Sequence, residues 1–238
     1  MENSDVWIIA MGGSFNPIHP EHVEAIVCAR ELLEEEGKVV GAAIVAVAPD
    51  DHVIRKFRKT GADIRDVIPN EHRVKIFNAA VAKDHPWIHA FGPHGYGITC
   101  AQEFAPQVLP DIDPSRFRIA NCVGADYVGT KITSEPKNGA SLNICVFRKG
   151  YGEDIKEKMK TPDASKNFRF IERSSRGLSS TSLRDSLGHK ALENLDQNKR
   201  IEKIKELVDS VDLSHGAANY IIANFNDIYD LPEDTRNV

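Results

Sequence analysis

Trp7-Ile8-Ile9-Ala10-Met11-Gly12-Gly13-Ser14-Phe15-Asn16-Pro17-Ile18-His19-Pro20-Glu21-His22 is the stretch on which the architecture turns. The apolar run Trp7 to Met11 reads as a strand, and Gly12 and Gly13 as the turn that ends it. A helix is expected from Pro20 to Glu36, because Ile26, Ala29 and Leu33 fall on one face at i, i+3 and i+7. Pro20 suits the first helical position and Gly37 the C-terminal cap. Glu34, Glu35 and Glu36 sit at the wrong end of that helix for its dipole, so its last turn is expected to fray.

The same alternation continues downstream. Ala42 to Ala48 is nearly all apolar, as in a strand covered on both faces. Asp50 to Pro69 is polar and basic and reads as a loop, after which Asn70 can cap a helix over Glu71 to Lys83. Trp87 to Phe91 reads as a strand, Gly92 to Gly97 as a loop, and Ile98 to Ala105 as a helix stopped by Pro106. Strands follow at Arg118 to Val123, Leu142 to Phe147 and Phe168 to Glu172. Helices are expected from Ser180 to Leu187, Ala191 to Val208 and Ala217 to Tyr229. Strands alternating with helices imply an α/β fold, a doubly wound parallel sheet with right-handed crossovers and C-terminal helices. Residues 1–190 would form the α/β domain and 191–238 a helical extension packed on it. Ligands of such sheets sit beyond the carboxyl ends of the strands, where the glycine turn falls.

Composition narrows the function. The chain has 238 residues, net charge −5, 41% hydrophobic and 27% charged residues, which is ordinary for a globular protein able to bury a core without staples. The four cysteines, Cys28, Cys100, Cys122 and Cys145, contain no CxxC pair, so neither a zinc knuckle nor a redox motif is present. No apolar run approaches ~18 residues, and the polar start Met1 to Asp5 has no signal-peptide pattern. A cytoplasmic protein is expected, or a nuclear one in a eukaryote. Mild acidity argues against bulk nucleic-acid binding, and no membrane partner is expected. A local anion site is compatible with that acidity, and a homo-oligomer stays open.

Two segments carry chemistry. In the first, Gly12 and Gly13 permit close backbone approach, and N–H groups there and at the next helix start can face phosphate oxygens. His19 and His22 stand three apart at that helix start, so both imidazoles can point to one anion and stabilise charge developing on it. A His-x-x-His pair can also hold a metal, but no third ligand accompanies it, and no protein metal site is expected. Neither GxxxxGK[ST] nor GxGxxG occurs, so this is not a P-loop or a dinucleotide fingerprint. The second segment is Leu178-Ser179-Ser180-Thr181-Ser182-Leu183-Arg184. Ser179 or Ser180 can cap a helix there, and the free N–H groups, the hydroxyls and the fork of Arg184 one turn in can bind an anion. Taken alone, it could equally be a capped helix with a surface arginine.

Together the two segments resemble the nucleotidylyltransferase superfamily. GSFNPIHPEH is similar to its (H/T)xxH segment, and LSSTSLR to its ISSTxxR segment with Leu178 in place of Ile. The GSFNP wording is most like the nicotinamide/nicotinate mononucleotide adenylyltransferases; other branches usually carry Asp at the Asn16 position. Gly124-Ala125-Asp126 resembles the family's GxD segment. The resemblance implies a Rossmann-like fold and transfer of AMP from ATP to a mononucleotide, with Mg²⁺ carried by ATP and pyrophosphate released. It implies that Gly13, Ser14 and Phe15 line the nucleotide, with Gly124 and Asp126 near it. His19 and His22 would hold the triphosphate and its α-phosphate, and Ser180, Thr181 and Arg184 the β and γ phosphates.

The acceptor side departs from the pattern. Relatives of this kind commonly stack the nicotinamide ring on tryptophan, but only Trp7 and Trp87 occur, and Tyr127 follows Asp126. Lys56, from the basic segment 55–59, is the expected phosphate contact, with Trp87 and Tyr96 as stacking candidates. Glu21 stands where many relatives have glycine, and its carboxylate would repel a polyphosphate unless it points away. Three functions follow: a nicotinamide- or nicotinate-mononucleotide adenylyltransferase, a nucleotidylyltransferase with another phosphate acceptor such as pantetheine phosphate, and a non-catalytic nucleotide-binding protein of the same fold.

Overall fold

A computed structural model of the chain describes residues 4–124, 139–148, 150, 168–174, 177–210 and 212–230. The elements are β1 (Val6–Gly13), α1 (Pro20–Glu35), β2 (Val39–Val47), α2 (Asp50–Thr60), α3 (Asn70–Val81), β3 (Ile88–Phe91), α4 (Gly97–Val108), β4 (Phe117–Val123), β5 (Leu142–Arg148) and β6 (Phe168–Arg173). Four helices end the chain: α5 (Ser180–Leu187), α6 (His189–Leu192), α7 (Gln197–Asp209) and α8 (His215–Ala223). The strands form one six-stranded sheet of order β3-β2-β1-β4-β5-β6. The ladders β1–β4, β4–β5 and β5–β6 are parallel, with Ile8 opposite Ile119, Cys122 opposite Ile144 and Cys145 opposite Phe170. The order reverses at β1, the strand that leads into the glycine turn. This is the α/β doubly wound arrangement expected from the alternating pattern. No described helix is long and apolar enough to cross a membrane.

The chain divides into two compact units. The first comprises Met1–Gly12, Val23–Ala46 and Tyr96–Arg176. Its β-strands read as continuous apolar runs because both faces are covered: Ile8, Ile9, Ile44, Val45, Ile144 and Cys145 are fully buried. Gly12 and Gly97 let the end of β1 meet the start of α4, since a Cβ on Gly97 would lie 2.8 Å from the Met11 carbonyl carbon. The acidic end of α1, expected to fray, is helical through Glu35. Arg30 pairs with Glu34 one turn on, and Glu36 takes Lys38 and Arg169. Gly37 at φ +74° closes the helix. Pro106 does not stop α4, which runs one further turn to Val108, past the missing N–H.

The second unit comprises Gly13–His22, Val47–Gly95 and Gly177–Val238. The stretch expected as a loop from Asp50 holds helix α2. Val53, Ile54 and Phe57 give it a short buried stripe, packed with Ala48 and Val67. Its charges follow the dipole, with Asp50 and Asp51 in the first turn, Arg58 and Lys59 in the last, and Gly61 closing it in the left-handed region. Asn70 is not the cap of α3 but its first residue, and its buried amide donates to the carbonyls of Val47 and Ala48. The strand β3 starts at Ile88, so Trp87 belongs to the preceding turn. The long helix expected from Ala191 is broken: Asp196 accepts the Lys199 N–H and starts α7 afresh. The helix α8 ends at Ala223 and docks on α3. The Tyr220 hydroxyl meets His72 Nδ1 at 2.9 Å, and Gly216 is so close to the Ala79 carbonyl that no Cβ fits.

Candidate active site

Both sequence segments lie in the second unit, and they touch. After β1 the chain turns sharply: Gly13 accepts the Ala48 N–H at its carbonyl, and a Cβ on Gly13 would meet the Phe15 ring at 2.8 Å. Phe15 is held at φ +43°, in the left-handed region that a bulky residue enters only when its surroundings over-determine it. Its ring packs edge-on against Phe77 at 5.1 Å and His22 at 5.0 Å. Arg73, wholly buried, grips the turn from behind. It donates to Ser14 O at 2.7 Å, Ile68 O at 2.7 Å and Asp50 Oδ1 at 2.6 Å. Burial pushes the Arg73 guanidinium down, and Asp50 pulls it back up.

Asn16 is buried and reaches across to residues 66–68. Its Nδ2 donates to Asp66 O at 2.9 Å and its Oδ1 accepts Ile68 N–H at 2.8 Å. Helix α1 then begins with Pro20 at its first position. His22, two residues further, turns its side chain back so that Nδ1 accepts the His19 N–H at 3.3 Å, the side-chain half of a capping box. With Nδ1 an acceptor, the ring proton of neutral His22 belongs on Nε2. The imidazoles of His19 and His22 stack at 3.7 Å, so one anion can address both. The Glu21 side chain between them is buried, not turned to solvent.

The second segment closes on the first. Ser179 caps α5 reciprocally with Ser182: its hydroxyl takes the Ser182 N–H at 3.0 Å, and Ser182 Oγ takes the Ser179 N–H at 3.1 Å. Ser180 is thereby released from capping and donates its hydroxyl to Pro17 O at 2.9 Å. Arg184 donates to Asn16 O and to Thr181 Oγ1, each at 2.9 Å, with its guanidinium 4.7 Å from the Phe57 ring centre. Burial pushes Arg184 down, while Asp66 and Asp185 push it up; a guanidinium so placed stays charged. The result is a cradle of two helix starts, two stacked imidazoles, hydroxyls and one half-buried cation, a donor set suited to phosphate.

The remaining expected residues are scattered. Lys56 is exposed on α2, next to the Phe57 that backs Arg184. Trp87 is half-buried, its ring edge-on to His85 at 6.4 Å. Tyr96, in the first unit, precedes α4 and is 70% exposed. Gly124 is exposed just after β4, and Asp126 lies outside the described residues. No group of three or more His, Cys, Asp or Glu side chains able to hold a metal occurs among the described residues.

Arg73, Asp50, Asn70 and the side chain of Asn16 were not legible as site residues. Arg73 alone left a signal, a charge on the same helical stripe as the buried Ile76 and Phe77. No curated protein matches the chain. The sequence profile of the cytidylyltransferase-like family matches residues 10–186, about three quarters of the chain, from the end of β1 through α5. The span takes in both halves of the cradle, and the chain belongs to the cytidylyltransferase-like family of the nucleotidyltransferase superfamily.

Proposed function

We propose that the protein is an adenylyltransferase that moves AMP from ATP to nicotinamide or nicotinate mononucleotide, releasing pyrophosphate. The reading is supported by the bonds of Arg184 and Ser180 to the Asn16 and Pro17 carbonyls, which join segments far apart in sequence into one cradle. Gly13, Ser14 and Phe15 line the nucleotide through their backbone. His19 and His22 hold the triphosphate, His22 offering Nε2–H to the α-phosphate. Ser180, Thr181 and Arg184 take the β and γ phosphates.

The reaction is an in-line displacement. An oxygen of the acceptor phosphate bonds to the α-phosphorus as the bond to the bridging oxygen breaks, and that electron pair leaves with pyrophosphate. The attacking oxygen is already anionic, so neither a general base nor a protein nucleophile is required. The protein contributes position and fixed donors aimed where charge develops. Mg²⁺ enters with ATP as part of the substrate. In this reading its ligands are phosphate oxygens and water, as suits its preference for a hydrated octahedral shell.

Lys56 and Trp87 are assigned to the acceptor. A second reading, transfer to another phosphate such as pantetheine phosphate, draws on the two tryptophans. Trp7 lies under Lys38, and Trp87 is half-buried against His85, so neither is a freely presented stacking platform. Pyrophosphate release from ATP and Mg²⁺ over a panel of acceptors separates the readings. Turnover with a nicotinamide or nicotinate mononucleotide supports the first, turnover only with another acceptor the second. ATP binding without turnover on any acceptor would mark a non-catalytic protein.

A further inference from the structure

Arg184 is an unusual cation. Its N–H groups go to two neutral acceptors, Asn16 O and Thr181 Oγ1, and its face goes to Phe57. Among the described residues no carboxylate pairs with it directly. The acids that act on it are Asp66 first and Asp185 second, and Asp185 is exposed. Asp66 ends a short 3-10 turn (Ile64–Asp66) and is packed from several sides. One carboxylate oxygen, Oδ1, is out of reach of water and has no hydrogen-bond partner. The carboxylate accepts the His189 N–H just beyond α5. A Cβ on Gly188 would come within 2.6 Å of Oδ1. The Asp66 carbonyl takes the Asn16 amide at 2.9 Å.

These contacts form a circuit. The Asp66 carbonyl fixes the Asn16 side chain, the Asn16 carbonyl holds Arg184, and the Asp66 carboxylate faces Arg184 electrostatically while holding the chain where α5 ends. Leaving a buried carboxylate oxygen unbonded is costly, so the charge needs a compensating use. We propose that Asp66 is a positioning residue for Arg184. It supplies, from a distance, the counter-charge that keeps the guanidinium in the cradle. The N–H groups of Arg184 then stay on neutral acceptors, which a polyphosphate can replace. A direct salt bridge would compete with the substrate for the same donors. Among the described residues the groups that interact with Asp66 are Asp63, Arg65, Arg184, His189 and the half-buried Tyr229, and burial is what pushes the Asp66 carboxyl up. The inference rests on the phosphate-cradle reading for its use, but not for its test.

The substitution Asp66→Asn keeps the volume and an acceptor for the His189 N–H while removing the charge. In the wild-type protein the Arg184 Nη–H signal, assigned by its loss in Arg184→Ala, should be sharp and slow to exchange, because both terminal nitrogens are hydrogen-bonded. In Asp66→Asn it should broaden and exchange at least about tenfold faster, with the melting temperature nearly unchanged. Steady-state kinetics with ATP should show an unusual split. The kcat falls about tenfold because Arg184 is misplaced, while KM for ATP falls or stays level because a negative charge near an anion has gone. In an Arg184→Ala background the same substitution should not lower kcat further. An Arg184 signal that is unaltered in Asp66→Asn, or an equal loss of kcat with and without Arg184, would overturn the proposal. If the Arg184 signal responds but wild-type protein neither binds nor turns over ATP, the positioning role stands and the proposed function fails.

Discussion

The buried amide of Asn16 offers the sharpest test of how the first segment is held. Replacing it by Asp changes one group and almost no volume. Oδ1 still accepts from Ile68 N–H, but the second oxygen now faces the Asp66 carbonyl across the 2.9 Å that the amide donor spans. Two acceptors cannot bond, so the carboxyl must keep its proton in the folded protein and donate to that carbonyl. An unfolded Asp ionises near pH ~3.9. Holding it neutral at pH 7 therefore costs up to about 4 kcal/mol, since each pH unit above the unfolded value adds ~1.4 kcal/mol.

The sign is definite. The folded variant binds more protons than its unfolded chain wherever pH exceeds the unfolded pKa and stays below the raised folded one. Its stability therefore falls as pH rises through that window. Urea denaturation of the wild type and Asn16→Asp should show less than ~1 kcal/mol between them near pH 4.5, widening to about 3–4 kcal/mol at neutral pH. A difference that does not change with pH, or one below ~0.5 kcal/mol at neutral pH, refutes the assigned donor and acceptor roles. An amide suits this position where an acid would not, because one neighbour needs a donor and the other an acceptor.

Three further outcomes are expected. His22→Ala should cut pyrophosphate release by roughly 10²–10³ while shifting the melting temperature little; near-normal turnover would remove that imidazole from the phosphate site. Arg73→Met should cost about 3–5 kcal/mol in chemical denaturation, because it strands Asp50 and two carbonyls in the interior; a loss below ~1 kcal/mol would mean the turn is held by other contacts. Native alkylation followed by mass spectrometry should label Cys28 first and faster at higher pH, since it alone of the four is half-exposed, although burial raises its thiol too. Burial pushes the thiols of Cys100 and Cys122 up to about 12, so they should react only after unfolding, and early labelling of either would contradict the packing.

The fold was largely readable because periodicity and end signals agreed in most elements. Pro20 with Gly37 bounded α1, and α5 spans the expected Ser180 to Leu187. Reading failed where the apolar signal was thin. Helix α2 has only Val53, Ile54 and Phe57 inward among eleven residues, so its charges hid it. The break at Asp196 was hidden by the opposite fault, since charged residues continue on both sides of a good cap. The acceptor side stayed dark because aromatic residues there have no spacing rule to obey, and Trp87 fell in a turn where a strand was expected.

What could not be read at all is how the two segments are fastened, and that has a physical cause. Arg184 and Ser180 bind main-chain carbonyls, which every residue carries, so no side chain at Asn16 or Pro17 advertises the contact. The carbonyls are nevertheless placed by side chains: Asn16 through residues 66–68, and the preceding turn through Arg73. The donors proposed for phosphate are thus aimed by residues outside that donor set. Substitutions at Asn16, Asp66 or Arg73 should therefore disturb the cradle's geometry as surely as losing one of its donors, and should be visible first in stability or side-chain dynamics. Losing His22 should be visible first in turnover. That contrast separates the groups proposed to touch the substrate from the frame that aims them.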